Sequence, residues 1–163
     1  MVDDIMRSND AFAAKTYLSA LQFVDSKNIA VIGWGHGGWA VTKIIEGYVR
    51  DKKVSPFKAA VAFYPFCNSL IEPDTPVLVL IGKKDDWSPA YLAERLKEQY
   101  RGKNWKPEFS LTVYPNAYDA FDYEMTPPGG KDFLSHHLEY DPEATSDAIA
   151  QTKAFLAKYC LAK

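Results

Sequence analysis

Two cysteines in 163 residues, Cys67 and Cys160, are too few and too widely spaced for a disulfide framework. Neither belongs to a CxxC pair or lies at a distance from histidine that would suggest zinc, so two buried or half-buried thiols are expected. Histidine is scarce too, with only His36, His136 and His137. No run approaches eighteen apolar residues, and the opening Met1-Val2-Asp3-Asp4-Ile5 carries acids where a signal peptide would carry bases. The sequence therefore predicts a cytoplasmic protein with no membrane partner. A surplus of one charge is also missing: 19 Lys and Arg stand against 21 Asp and Glu, for a net charge of −2. The scattered lysines (Lys52, Lys53, Lys83, Lys84, Lys103, Lys106) build no basic stripe, which argues against a nucleic-acid partner. Internal repeats, low-complexity tracts and dividing linkers are absent, so residues 1–163 are read as a single domain. What is present excludes disorder: 47% of residues are hydrophobic and 14% aromatic. A chain of this size buries about 70% of its unfolded surface without needing disulfides or metal.

Apolar residues Phe12, Ala13, Tyr17, Leu18, Leu21 and Val24 recur at helical spacing from Asp10 to Val24, after cap candidates Ser8, Asn9 and Asp10. A short β-branched run, Asn28 to Gly33, then meets a glycine cluster, and a second helical pattern passes through Ile44, Ile45, Tyr48 and Val49. Further strands are predicted at Ala59–Phe63, Pro76–Ile81 and Phe109–Tyr114. Pro89 opens a helix through Leu92, Leu96 and Tyr100. Asp141-Pro142 is a cap followed by a first-turn proline, starting a last helix with Ala148, Ile149, Thr152, Phe155, Leu156 and Tyr159 inward. Strands apolar on both faces, alternating with helices, predict an α/β fold: a mainly parallel sheet of about four strands with helices on both faces. Ligands of such sheets bind beyond the carboxyl ends of the strands, which singles out the loops after Ile32, Ile81 and Tyr114.

The first of these loops is Gly33-Trp34-Gly35-His36-Gly37-Gly38. It satisfies the dinucleotide pattern GxGxxG through Gly33, Gly35 and Gly38, but the next strand ends Phe63-Tyr64-Pro65 without the acid that would hold a ribose. It also matches the frame of a nucleophile elbow, in which small residues permit a strained turn that lifts a Ser or Cys into the site. The nucleophile position is Gly35.

With this frame, the segments Ile29–Gly38, Phe63–Cys67, Leu80–Pro89, Tyr114–Phe121 and Leu138–Pro142 together make the chain resemble the dienelactone hydrolase family of α/β-hydrolases. The resemblance implies ester or lactone hydrolysis by a nucleophile, a histidine and an acid, with no cofactor. It places the acid on Asp85, with Asp86 as the adjacent alternative, and the histidine on the position held here by Asp119. Of the triad positions Gly35, Asp85 and Asp119, only Asp85 keeps the family's residue type. Loss of a triad costs on the order of 10⁶ in turnover, so hydrolysis is expected to be impaired or absent. The resemblance further implies that the family's early strands, and the oxyanion-hole loop they carry, precede the region matched here.

The histidines and Cys67 are the candidates for a replacement group. His36 sits beside the empty position, whereas His136 and His137 are read as surface or helix-end residues outside the three loops. Asp85, Asp119 and Asp122 offer oxygen ligands for a divalent cation if they cluster, although no residue is assigned to a metal. Trp34, His36, Trp87 and Phe121 are the candidate ligand-binding residues, with Trp39 read as core and Tyr123 as a loop neighbour. The competing function is a non-catalytic module that binds a small ester, lactone or apolar ligand or assembles with another chain. The strand Asn28 to Gly33 is expected at a sheet edge, which predicts a homodimer joined through it.

Overall fold

The computed structural model describes residues 4–46, 54–68, 73–103 and 106–161. Its sheet has four parallel strands in chain order, β1 (Val31–Trp34), β2 (Ala60–Phe63), β3 (Val77–Gly82) and β4 (Phe109–Tyr114). The helices are α1 (Asp4–Ser19), α2 (His36–Ile44), α3 (Ala90–Lys103) and α4 (Pro142–Leu156), the last running on into a π-helical turn at Ala157–Leu161. Parallel neighbours need crossovers, and α2 and α3 are placed to supply two of them.

Every residue of β2 and β3 is buried, because both faces of the sheet are covered. The two-residue period of a strand divides the core accordingly. Ala59, Val61, Phe63, Leu78 and Leu80 face Ala144, Ala148 and Phe155 of α4. Ala60, Ala62, Val77 and Val79 face Val41 of α2 and Ala93 and Leu96 of α3. Each such aliphatic side chain taken fully out of water contributes about 1.5–3 kcal/mol. The cap of α4 forms as its sequence implies, with Asp141 Oδ1 accepting from the Glu143 and Ala144 N–H groups ahead of Pro142.

Several elements differ from the sequence-based expectation. Strand β1 begins at Val31 rather than Asn28, and it lies at the sheet edge as expected, with Ile32 and Trp34 exposed. Helix α1 spans Asp4–Ser19 instead of 10–24, and its buried face is Ser8, Phe12 and Lys15, leaving Ala13, Tyr17 and Leu18 outside. Polar partners decide this: Ser8 Oγ donates to the Ala40 carbonyl, and Lys15 Nζ donates to Ser55 Oγ above the Phe57 ring. Ile149 of α4 is 46% exposed rather than inward. Tyr48 and Val49, read into the second helix, lie outside the described residues. An antiparallel hairpin of β5 (Lys131–Phe133) and β6 (His136–Leu138) was not expected. Its turn is Leu134-Ser135, both at positive φ (50° and 68°), where Asn-Gly would have announced it.

Candidate active site

The loop after β1 enters α2 through Gly35 at φ 53° and ψ −118°. Its N–H donates to the Phe63 carbonyl and its own carbonyl accepts from Trp39 N–H, fixing the turn between β2 and the first turn of α2. A Cβ on Gly33 would lie 2.2 Å from the Gly37 carbonyl oxygen, and one on Gly38 would lie 2.6 Å from that of Phe63. Those two glycines are required by close packing of backbone. At Gly35 a Cβ would find only the Tyr64 ring, at 3.7 Å, an ordinary contact. The turn thus has the strained shape of an elbow and room for a side chain, but presents none.

Asp85 follows β3 and is 4% exposed. Its Oδ1 accepts from the N–H groups of Trp87 (2.9 Å) and Ser88 (2.7 Å), which pins the carboxyl in the turn. Its Oδ2 is buried without a partner. Burial, assisted by the charges of Asp119 and Asp86, pushes its pKa up to about 7 against the pull of those two N–H groups. Asp119, in the loop after β4, is 8% exposed, and burial pushes it up to about 6. The Ala120 N–H and His136 oppose that rise, while Asp86 and Asp122 add to it. Positive φ at Tyr64 (38°) and Ala120 (54°) joins Gly35 as backbone strain around this site.

Asp122 is committed elsewhere. Its Oδ2 accepts from Trp34 Nε1 at 2.8 Å and its Oδ1 from the Tyr64 hydroxyl at 2.9 Å, tying the ends of β1 and β2 to the third loop. Burial and then Asp122 raise the Tyr64 phenol far above its usual value, so it stays a donor. Asp85, Asp119 and Asp122 accordingly do not converge on a cation, and among the described residues no group of three His, Cys, Asp or Glu is arranged to hold a metal.

Gly35, His36, Trp39, Phe66, Trp87 and Asp119, with Ser88, line a cavity of about 480 Å³ beside the elbow. Its aromatic walls form two sets. His36 meets Trp39 edge-on at 5.3 Å and Trp39 meets Phe66 at 5.9 Å, while Trp87 stacks against His136 (4.5 Å) and Phe133 (6.0 Å), which are outside the lining.

The structure gathers Gly35, His36, Trp87 and Asp119 around this cavity, with Asp85 anchored behind Trp87 and Ser88. Trp34 and Phe121 are not in its lining. Trp34 stacks on Phe63 at the sheet edge, and Phe121 is fully buried against Tyr64 and Tyr114 because α4 closes over that face. Trp39, read as core, lines the cavity. His136, expected outside the site loops, lies with its Nδ1 3.3 Å from Asp86 Oδ1 and its ring on Trp87. The hairpin brings it there through a β-bridge between Asp119 and Leu138. No local sequence signal marks that bridge. His137 remains outside, paired with Asp132 and Glu139, and its pKa is raised first by Asp132. Cys67 is buried, which pushes its thiol up to about 12 and denies it a nucleophile's role.

Residues 3–160 match the family model of the dienelactone hydrolase family. No curated protein matches the chain. Among solved structures, a Klebsiella pneumoniae subsp. pneumoniae MGH 78578 protein assigned as a dienelactone hydrolase superposes with a TM-score of 0.75 at 23% identity, over 97% of this chain and 63% of that one. A dienelactone hydrolase-like promiscuous phosphotriesterase from metagenomic libraries gives 0.72 at 19% identity, over 94% of this chain and 62% of that one. Esterase 2 of Thermogutta terrifontis gives 0.67 at 16% identity, over 99% and 67%. The chain thus spans under two thirds of the length of the first two of these relatives.

Proposed function

The chain belongs to the dienelactone hydrolase family, and from that premise we propose that it keeps the family's cleft as a small-molecule site while lacking the covalent route of ester and lactone hydrolysis. Gly35 carries the argument, an elbow at φ 53° and ψ −118° with no atom to attack a carbonyl. In a triad the nucleophile adds to the carbonyl carbon, the imidazole takes its proton and later returns one to the leaving group, and the acid orients the ring. Asp119 is a poor substitute for that imidazole, since its ionised form adds negative charge where negative charge must develop on the substrate. The unpartnered Oδ2 of Asp85 supports the same reading, because an acid in the triad's acid position would give that oxygen to a histidine. The reaction inherited by descent is ester or lactone hydrolysis, and the ligands proposed are small molecules.

Hydrolysis of a short-chain aryl ester by the parent beside Gly35→Ser/Asp119→His tests this. The expected result is a parent at the buffer rate and a double variant above it by at least about tenfold, a small part of what a complete triad supplies. A parent well above buffer, with activity lost in His136→Gln, would overturn it.

Assembly is the second reading, favoured by the exposed Ile32 and Trp34 on the edge strand β1. It takes the form of a homodimer through that edge, in the cytoplasm, where the free thiols of Cys67 and Cys160 would persist.

A further inference from the structure

We propose that the cavity beside the elbow binds a small organic cation, an ammonium group on a short alkyl or aryl body. The inference rests on reading this cleft as a small-molecule site and names the class of ligand. Trp39, Phe66 and Trp87 line the cavity, and the negative faces of such rings attract a cation, most strongly where water is excluded. Asp119 lines it as well and is 8% exposed, so a carboxylate stands at the wall of a cavity with aromatic sides. Asp85, 4% exposed and outside the lining, has a buried Oδ2 with no partner and feels the Asp119 charge. Among the described residues no lysine or arginine lines the cavity. A neutral apolar ligand would cover the Asp119 carboxylate without contributing a charge to it, which is costly, whereas an ammonium ligand pairs it. A bare metal ion is a poor fit, since it requires converging oxygen or nitrogen ligands that the described residues do not assemble here. At about 480 Å³ the cavity is within the usual range for small ligands.

The surrounding groups set the pH dependence. Facing Asp119 are His136, Asp86, Asp122 and the Ala120 N–H, and facing Asp85 are Asp119, Asp86 and the N–H groups of Trp87 and Ser88. Both carboxyls are held up, to about 7 and about 6, so a bound cation draws protons off them and binds more tightly as pH rises from 5.5 to 8.

The test is calorimetric titration of the full chain with choline and with 3,3-dimethylbutan-1-ol, its uncharged carbon isostere, at pH 8 and pH 5.5. Choline is expected to bind roughly tenfold more tightly than the alcohol at pH 8, with the preference shrinking at pH 5.5. Asp119→Asn is expected to reduce the preference to about threefold or less. Trp87→Leu, at a 37% exposed position, reduces it independently should Asp119→Asn fail to fold. Equal binding of the two compounds overturns the inference while leaving a small-molecule site in place. Binding of neither removes both, and an unchanged preference in Asp119→Asn or Trp87→Leu also overturns the inference.

Discussion

Asp85 is a buried carboxyl whose ionisation works against folding. Its pKa moves from 3.8 up to about 7, so the folded protein holds this proton more firmly than the unfolded chain. Stability must then fall as pH rises from about 4 to about 7, and Asp119 acts in the same sense over a narrower window. Asp85→Asn keeps an oxygen acceptor for the Trp87 and Ser88 N–H groups and removes the charge. The variant is expected to match the parent near pH 4 and to exceed it by on the order of 2 kcal/mol at pH 8. Denaturant titrations at both pH values check this, and a difference independent of pH would refute it. Comparing variant with parent also cancels His137, whose raised pKa makes its own contribution fade with rising pH. Glu108 has the opposite sign. Hydrogen bonds from Lys158, Ser110 and Tyr159 hold it down to about 2, so its contribution is present above about 4.5 and is lost as pH falls through about 2.

Among the elements, the strand–turn–helix unit of β1 and α2 is the most demanding of sequence. Gly33→Ala drives a methyl to 2.2 Å from a backbone oxygen and is expected to cost about 1–3 kcal/mol. Gly37→Ala, in α2 with nothing within 4 Å of its Cβ, is expected to stabilise by about 0.5–1 kcal/mol. Urea unfolding of the pair measures the contrast, and equal effects would contradict the packing described for the elbow. Gly35→Ser has space yet pays about 1–2 kcal/mol for positive φ, so the ester assay on the double variant belongs well below its melting temperature. The element order itself was legible in the sequence. Apolar runs such as Val77–Ile81, the elbow glycines and the Asp141-Pro142 cap act over a few residues, and local pattern suffices to read them. The hairpin β5–β6 was not legible, since its turn residues carry no turn signature and its strands alternate weakly.

At the scale of the whole molecule, β1 leaves one side of the sheet with exposed Ile32 and Trp34, and the proposed dimer is formed there. Light scattering at micromolar concentration is expected to report twice 18.3 kDa for the parent and 18.3 kDa for Ile32→Lys. A parent at 18.3 kDa would remove the dimer. By itself the sequence determined the α/β order, the family, the side-chain-free elbow at Gly35 and the placement of Asp85 at the end of a strand, because each is written in contiguous residues. Only the tertiary structure decided that Phe121 is core, that Trp39 and Phe66 wall the cavity, and that Ser8 and Lys15 form the inner face of α1. It alone brought His136 onto Trp87 beside Asp86. Those outcomes depend on contacts between residues far apart in the chain, such as Asp119 with Leu138 and Ser8 with Ala40, and pattern within a short window has no access to them.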